Sequence, residues 1–488
     1  MPRHSLLLVL LSAALLFIGF RLVCMLSDFP VFAGDSRTFL PAAVELKRDH
    51  RWENPAFRPP HVVDASRPDL YTYHGFLSPL VLALLSPWPD YHGIRFALGI
   101  VMLAYALCLA FLLHRAGHGL PEIDPRAGAV GVALLLLAVG YLGDLGRPEL
   151  LATALVAAGL LAVSLAPSGA ASAAILGATL GGLAAADPIP SLLAALLAVG
   201  WVFLQAPTFR AALGRTALLG GLAVLVLAFL LLFYPHRALW LEGMRLHAET
   251  AEAFDSESGI LKPWFASPGA MGFGFFVLAG FGACLHFVGS RWGGAAGWKK
   301  AGVAFVGLLF LVLFWHYAVR IGAKCYNARP LIPLFAFALA SRFFQTSRPR
   351  WNRWLLPGLC AVACLACAVD LSRQALLFRA YLASGLRYDR AAAELQALAD
   401  RSTGIEISPD LYSLFVRYDH VTVHDLAPLT AQTYVLQQVV RGLRRPPEIE
   451  GYTLVYENFS PVRPRFCGIP VGNTAGGYNY AIYEKNRP

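Results

Sequence analysis

Two groups of residues in this chain carry the means for chemistry at a membrane face. The first is Asp35, in Gly34-Asp35-Ser36-Arg37-Thr38-Phe39, just beyond the first long apolar run. The second is the stretch from His316 to Arg329, which carries Arg320, Lys324 and Arg329 around Cys325-Tyr326-Asn327. A carboxylate is ionised at neutral pH and can take a proton from a hydroxyl at hydrogen-bond distance. Arg offers forked hydrogen bonds to a phosphate, and Lys offers a compact point charge. An anionic ligand such as a lipid phosphate would account for three cations in one short segment. A carboxylate facing that phosphate suits group transfer from a lipid-phosphate donor. Arg329 directly precedes Pro330-Leu331-Ile332-Pro333, which stiffens its position and makes it the best single phosphate ligand. Plainer roles exist for both groups. Asp35 could cap a helix starting at Thr38, and the cations could snorkel to lipid headgroups.

A second acidic candidate is Glu149, in Gly146-Arg147-Pro148-Glu149 at the start of an apolar run. Pro in a first helical turn is ordinary, and Glu there suits the helix dipole. An Arg147/Glu149 couple at a membrane edge is harder to explain by packing alone. His74, His247, Arg147 and Tyr326 complete the candidate substrate-binding set. No zinc-type cluster or phosphate-binding Gly-rich loop is present. The chemistry requires no cofactor, although a divalent cation held by Glu149 is compatible with it.

The elements that must position these residues are apolar. The 488 residues are 57% hydrophobic and only 14% charged, against about 25% charged in soluble domains. A span takes about 20 apolar residues. Such runs begin near Leu6, Ile94, Ala127, Leu150, Ala171, Ser191, Ala217, Ala270, Ala301, Pro330 and Leu355. The expectation is a polytopic α-helical membrane protein of about eleven spans, with juxtamembrane helices and a small C-terminal α/β domain. The run from Phe76 to Leu85, hemmed by Pro79, Pro87 and Pro89, is too short to span and reads as juxtamembrane or re-entrant. Met1 to Leu26 reads as a retained span rather than a cleaved signal. Its apolar stretch is long, and Leu22-Val23 before Cys24 lacks the small residue of a lipoprotein site.

The net charge of +10 does not point to nucleic acid, because much of the excess sits in short loops between spans. These hold Arg3; Arg115 and Arg126; Arg210 and Arg215; Arg291, Lys299 and Lys300; and Arg342, Arg348, Arg350 and Arg353. Placing them all in the cytoplasm, with the N-terminus inside, gives one consistent topology. Asp35, Arg147–Glu149, the loop from Tyr234 to Ser267, the 316–329 segment and the tail after Asp370 then lie outside. Arg320, Lys324 and Arg329 are therefore cations on the less usual side. Richness in Ala, Leu, Gly and Arg points to a high-GC bacterium, and so to an inner membrane with the C-terminal domain in the periplasm.

The domains expected are 1–370, a membrane part whose first outer loop spans 27–92, and 371–488, a small α/β unit. In the first loop, Phe39 to Leu46 reads as a short amphipathic helix at the interface. The 235–268 loop, acidic and long, could cap a site as a lid. In the tail, 373–400 has a helical pattern, and 404–407, 421–423, 452–456 and 478–483 read as strands, with helices between the first of them. Cys360, Cys364 and Cys367 share one helix face and read as packing residues. A Cys325–Cys467 disulfide is compatible with an outer location for both.

Taken in order, these features resemble the GT-C glycosyltransferase superfamily. The nearest likeness is to its bacterial branch similar to dolichyl-phosphate-mannose protein mannosyltransferases and lipid A aminoarabinose transferases. The resemblance covers Met1 to about Asp370. It consists of a first span, an acidic residue in the outer loop, a His-Pro-Pro-Leu-like re-entrant segment and an Arg-x-acid motif opening a later span. A Tyr-x-x-Arg-x-x-x-Pro-like segment follows, here Tyr326 to Pro333. The chain departs from the pattern in three places. It has Asp35-Ser36 for Asp-Glu, His74-Gly75-Phe76-Leu77-Ser78-Pro79 for the full re-entrant motif, and Asp187-Pro188 for a Lys-Gly or Lys-Pro pair. The resemblance implies a sugar carried on a polyprenyl phosphate as donor and a lipid, glycan or protein as acceptor. It implies catalytic roles for Asp35 and Glu149 and donor-phosphate contacts from Lys324 and Arg329. A transporter or flippase, and an inactive scaffold, are the alternatives. A transporter would be expected to carry charges mid-span and broken helices in paired halves.

Overall fold

A computed structural model describes residues 2–29, 35–57, 63–64, 66–67, 69–118, 120, 122, 124–141, 147–255, 268–292, 294–320, 325–344, 355–424, 428–437, 446–458, 465–466, 469–470 and 477–486. Each of the eleven apolar runs is a helix. They are α1 (Arg3–Leu26), α4 (Tyr91–Ala116), α5 (Pro125–Gly140), α6 (Glu149–Leu165), α7 (Gly169–Ala186), α8 (Pro188–Gln205), α9 (Phe209–Leu231), α11 (Pro268–Trp292), α12 (Gly297–Phe314), α13 (Ile332–Phe344) and α14 (Leu355–Ala383). Between them lie α2 (Asp35–Asp49), α3 (Leu77–Leu85) and α10 (Arg237–Asp255). Among the described residues, eight helices are long and apolar enough to cross a membrane. The other three, α5, α6 and α13, have 16, 17 and 13 residues.

Local chemistry sets the helix starts. The side chains of Asp90, Asp124, Ser168 and Thr208 accept backbone N–H bonds at the heads of α4, α5, α7 and α9. These satisfy donors that the helix itself cannot. Small residues set the closest packing. A Cβ at Gly177 would lie 2.5 Å from the Leu219 carbonyl oxygen, and one at Gly181 would lie 2.6 Å from that of Ala223. Glycines four apart thus bring α7 against α9, backbone to backbone. The largest buried cluster joins α1, α4, α5, α6, α11 and α13. α9 and α12 stand at its margin, with Val224, Phe229, Phe305 and Leu311 exposed.

α14 runs on to Ala383, so the expected boundary at 370 falls inside a helix. The C-terminal unit begins with α15 (Tyr388–Ala399) and ends in strands. Its sheet contains β1 (Ile405–Ile407), β2 (Val421–Val423), β3 (Thr433–Gln437), β4 (Tyr452–Asn458) and β7 (Tyr480–Lys485), in the order β2-β1-β3-β7-β4. β1 pairs in parallel with β2 and β3, while β7 is antiparallel to β3 and β4. The two-residue strands β5 (Arg465–Phe466) and β6 (Ile469–Pro470) pair separately. A short helix, α16 (Tyr412–Phe415), connects β1 to β2. β3 is a strand that the sequence pattern does not separate from its surroundings.

Candidate active site

The segment between α1 and α4 folds into a platform around residues 71–76. The Asn54 amide donates to the Arg37 and Thr38 carbonyls at 3.0 and 2.8 Å and to the Tyr73 hydroxyl at 2.8 Å. This ties the first turns of α2 to the platform. α2 begins at Asp35 itself, so Asp35 belongs to the first turn rather than capping a helix from Thr38. Its side chain lies outside the described residues.

The ends of several apolar helices meet this platform. Gly75 presses on the end of α7, where an added Cβ would lie 2.1 Å from the Ala186 carbonyl oxygen. Tyr234, just past α9, donates its hydroxyl to the Tyr71 carbonyl. Phe76 stacks on the Tyr234 ring at 5.1 Å. α10 lies across the platform: the Trp240 indole donates to the His74 carbonyl at 3.0 Å. A Cβ at Gly243 would lie 2.6 Å from Thr72. The 235–268 segment is therefore helical up to Asp255 and docks on the platform through Trp240 and Gly243.

Arg147 and Glu149 form a buried, forked ion pair beside the platform. The guanidinium Nε lies 3.0 and 3.1 Å from the two carboxylate oxygens, and Nη2 lies 2.9 Å from Oε1. Arg147 is 8% exposed and Glu149 2%. Such a pair persists in a low-dielectric site only when its geometry is good. The guanidinium also lies 5.4 Å from the centre of the Phe39 ring on α2. Phe39 in turn packs 4.6 Å from the His74 ring. His74, Arg147, Glu149 and the first turns of α2 are thus one assembly.

Two further residues belong to it. Asp187 sits between α7 and α8, at the N-cap position of α8. Its carboxyl closes no cap bond of full hydrogen-bond geometry, although the Ile189 N–H is close enough to favour the ionised carboxylate. It retains some exposed surface yet is packed on most sides by protein atoms. That burial, with the nearby Glu149 carboxylate second, raises its pKa well above the ordinary carboxylate range, and Arg147 opposes the shift. Tyr71 is fully buried, and its hydroxyl has no hydrogen-bond partner among the described residues. Burial holds that hydroxyl protonated, and Asp187 and Glu149 act on it in the same direction. In sequence, Asp187 stands out only as a departure from a familiar pattern. Tyr71 gives no signal there beyond an aromatic-rich stretch.

The basic segment is partly described. Residues Trp315–Arg320 form a π-helical turn and Cys325–Leu331 a 3₁₀ helix. The 3₁₀ helix packs against α6 and α8, the helices headed by Glu149 and Asp187. The Asn327 amide donates to the Tyr317 carbonyl at 2.9 Å, and Ala328 joins the main core. Arg329 is half-buried, and no ion pair among the described residues involves it. Lys324 lies outside the described residues, as do the side chains of Arg320, Tyr326 and His247. Cys467 and the Cys325 side chain also lie outside them. Among the described residues, no group of three or more His, Cys, Asp or Glu side chains is arranged to hold a metal ion.

The C-terminal domain holds α2 from the other side. The Tyr412 hydroxyl donates to Glu45, and the Arg48 guanidinium donates to the Val416 carbonyl. Arg37 lies 3.6 Å from Asp410. α2 is therefore fixed between the platform and the sheet domain. Comparison with known proteins finds no matching family model, no matching curated protein and no matching solved structure.

Proposed function

We propose that this chain is an integral membrane glycosyltransferase. It takes a sugar from a polyprenyl-phosphate carrier and transfers it to an acceptor hydroxyl at the outer face of a bacterial inner membrane. The N-terminus lies in the cytoplasm and the C-terminal domain in the periplasm. Asp35 acts as general base on the acceptor hydroxyl. Lys324 and Arg329, with Arg320, hold the leaving phosphate and offset its charge. Arg147–Glu149, His74, Tyr326 and His247 line the substrate side. Direct attack with a single base inverts the sugar carbon.

The observation that carries this reading is the convergence of polar groups at one end of an otherwise apolar helix set. The heads of α2 and α6, the tail of α7, the platform at 71–76 and the docked α10 all meet there. The helix bearing Arg329 packs on α6 and on the neighbouring α8. The buried charges found within apolar helices also sit near their ends. Arg95 near the start of α4 pairs with Asp28 at 3.3 Å, and Arg21 near the end of α1 donates to Gln374. A permeation path would ask for charges mid-span instead.

The test is mass spectrometry of polyprenyl-phosphate sugars in host cells carrying wild type or Asp35→Asn at matched expression. The reading requires one sugar-lipid to accumulate in the mutant alone. Identical pools would count against it.

A further inference from the structure

Close to the Arg147–Glu149 pair lie two further polar groups, Tyr71 and Asp187, to which the proposed transfer assigns no role. With Glu149 they come from three separate parts of the chain: Tyr71 on the platform, Glu149 at the head of α6 and Asp187 between α7 and α8. We infer that Tyr71, Asp187 and the Arg147-neutralised Glu149 form a subsite for the hydroxyl groups of a neutral sugar, and not for a metal cation or a phosphate. The inference rests on the glycosyltransferase reading and deepens it by naming what this part of the site holds.

Three observations carry it. The Tyr71 hydroxyl is fully buried without a partner among the described residues, and a buried donor left unmade is costly. A ligand oxygen would satisfy it. Glu149 is already matched by Arg147 through a forked contact of 2.9–3.1 Å. Its charge is therefore neutralised locally, while the lone pairs that Arg147 does not use remain able to accept. Asp187 stands where an N-cap would be, without a well-formed capping bond, so its carboxyl remains able to bind a ligand. The surroundings keep that carboxyl protonated more readily than usual. Together these groups offer the Tyr71 O–H as a donor and carboxyl oxygens as acceptors, with the Glu149 charge already matched by Arg147. A divalent cation wants ionised carboxylates without a competing guanidinium. A phosphate would meet two carboxyl groups beside a cation already engaged. Sugar hydroxyls, each both donor and acceptor, fit the set.

The test uses the full-length protein in lipid nanodiscs and the apolar carbodiimide dicyclohexylcarbodiimide. This reagent adds to a protonated carboxyl: the acid proton goes to a carbodiimide nitrogen and the carboxyl oxygen bonds to the central carbon. Rearrangement to an N-acylurea then leaves a stable mass tag, located by peptide mass spectrometry. Asp187 should be tagged at neutral pH and Glu149 should not, and Asp187→Asn should remove the tag. A mixture of the methyl glycosides of mannose, glucose, galactose and arabinose should slow the tagging. Tyr71→Phe should weaken that protection about tenfold, roughly the worth of a hydrogen bond to a buried partner. Better protection by manganese chloride or by inorganic phosphate than by the glycosides would overturn the inference. So would absence of the tag on Asp187, or protection by none of the three. These outcomes are separate from those of Asp35→Asn. Glycoside protection with unchanged sugar-lipid pools would leave a sugar-binding site and remove the transferase.

Discussion

The Tyr412 hydroxyl of the C-terminal domain donates a hydrogen bond to the Glu45 carboxylate on α2, joining residues 367 apart in sequence. Both side chains are buried. The contact fixes the helix that begins at Asp35 against the C-terminal sheet unit. Tyr412→Phe leaves Glu45 buried without its phenol. The expected loss is about 1–3 kcal/mol, read as a lower unfolding midpoint in detergent. An unchanged midpoint would mean that the domain rests on α2 without holding it.

Burial raises the Glu45 carboxyl above its ordinary 4.5, against the opposing pull of Tyr412, Arg48 and Arg51. The fold therefore binds this proton more tightly than the unfolded chain does. The associated stability is complete below the unfolded value and is lost as pH rises through the folded one. Glu45→Gln removes the titration. Its unfolding midpoint should fall less than that of wild type as pH is raised from 4.5. Parallel pH profiles for the two proteins would show that Glu45 does not govern this range.

Arg147 and Glu149 predict an asymmetry. Removing one partner strands a buried charge, so Arg147→Ala should destabilise by about 3–5 kcal/mol. Replacing both, as Arg147→Met with Glu149→Gln, leaves no uncompensated charge and should recover much of that loss. Denaturant unfolding of the three proteins gives the comparison. Equal loss in the single and double variants would indicate that Arg147 acts through packing on Phe39.

Gly75 tests the seat of the platform. A methyl there would meet the Ala186 carbonyl oxygen at 2.1 Å, backbone against backbone. Gly75→Ala should separate the platform from α7, at a cost of about 1–3 kcal/mol or more. Gly214→Ala in α9, where a Cβ meets nothing within 4 Å, should be neutral or should gain up to about 1 kcal/mol. Similar midpoints for the two variants would contradict this close contact.

The helices are legible in the sequence because an apolar run of span length fits little besides a membrane helix. Their exact lengths are not. α5, α6 and α13 are cut short by cap and turn chemistry, including Pro148 ahead of α6 and the 3₁₀ helix ahead of α13. β3, Thr-Tyr-Val-Leu-Gln, lies at the middle of its sheet and is buried along most of its length. It shows neither clear alternation nor a nearby tight turn, so its pattern does not set it apart. In the site, Arg147 and Glu149 can be paired from sequence because only Pro148 stands between them. The Phe39 ring between Arg147 and His74 cannot, since its place depends on how α2 lies. Asp187 is visible only as an oddity, because its neighbours come from other helices.

The most direct test of the central claim is release of polyprenyl phosphate by the purified protein. Wild type and Asp35→Asn would be placed in nanodiscs with polyprenyl-phosphate sugars extracted from the host. The account predicts release of the carrier by wild type, with inversion at the sugar carbon. It predicts a fall of about a hundredfold or more in Asp35→Asn, with donor binding retained. Equal release by the two proteins, or a product that keeps the donor's anomeric configuration, would contradict it.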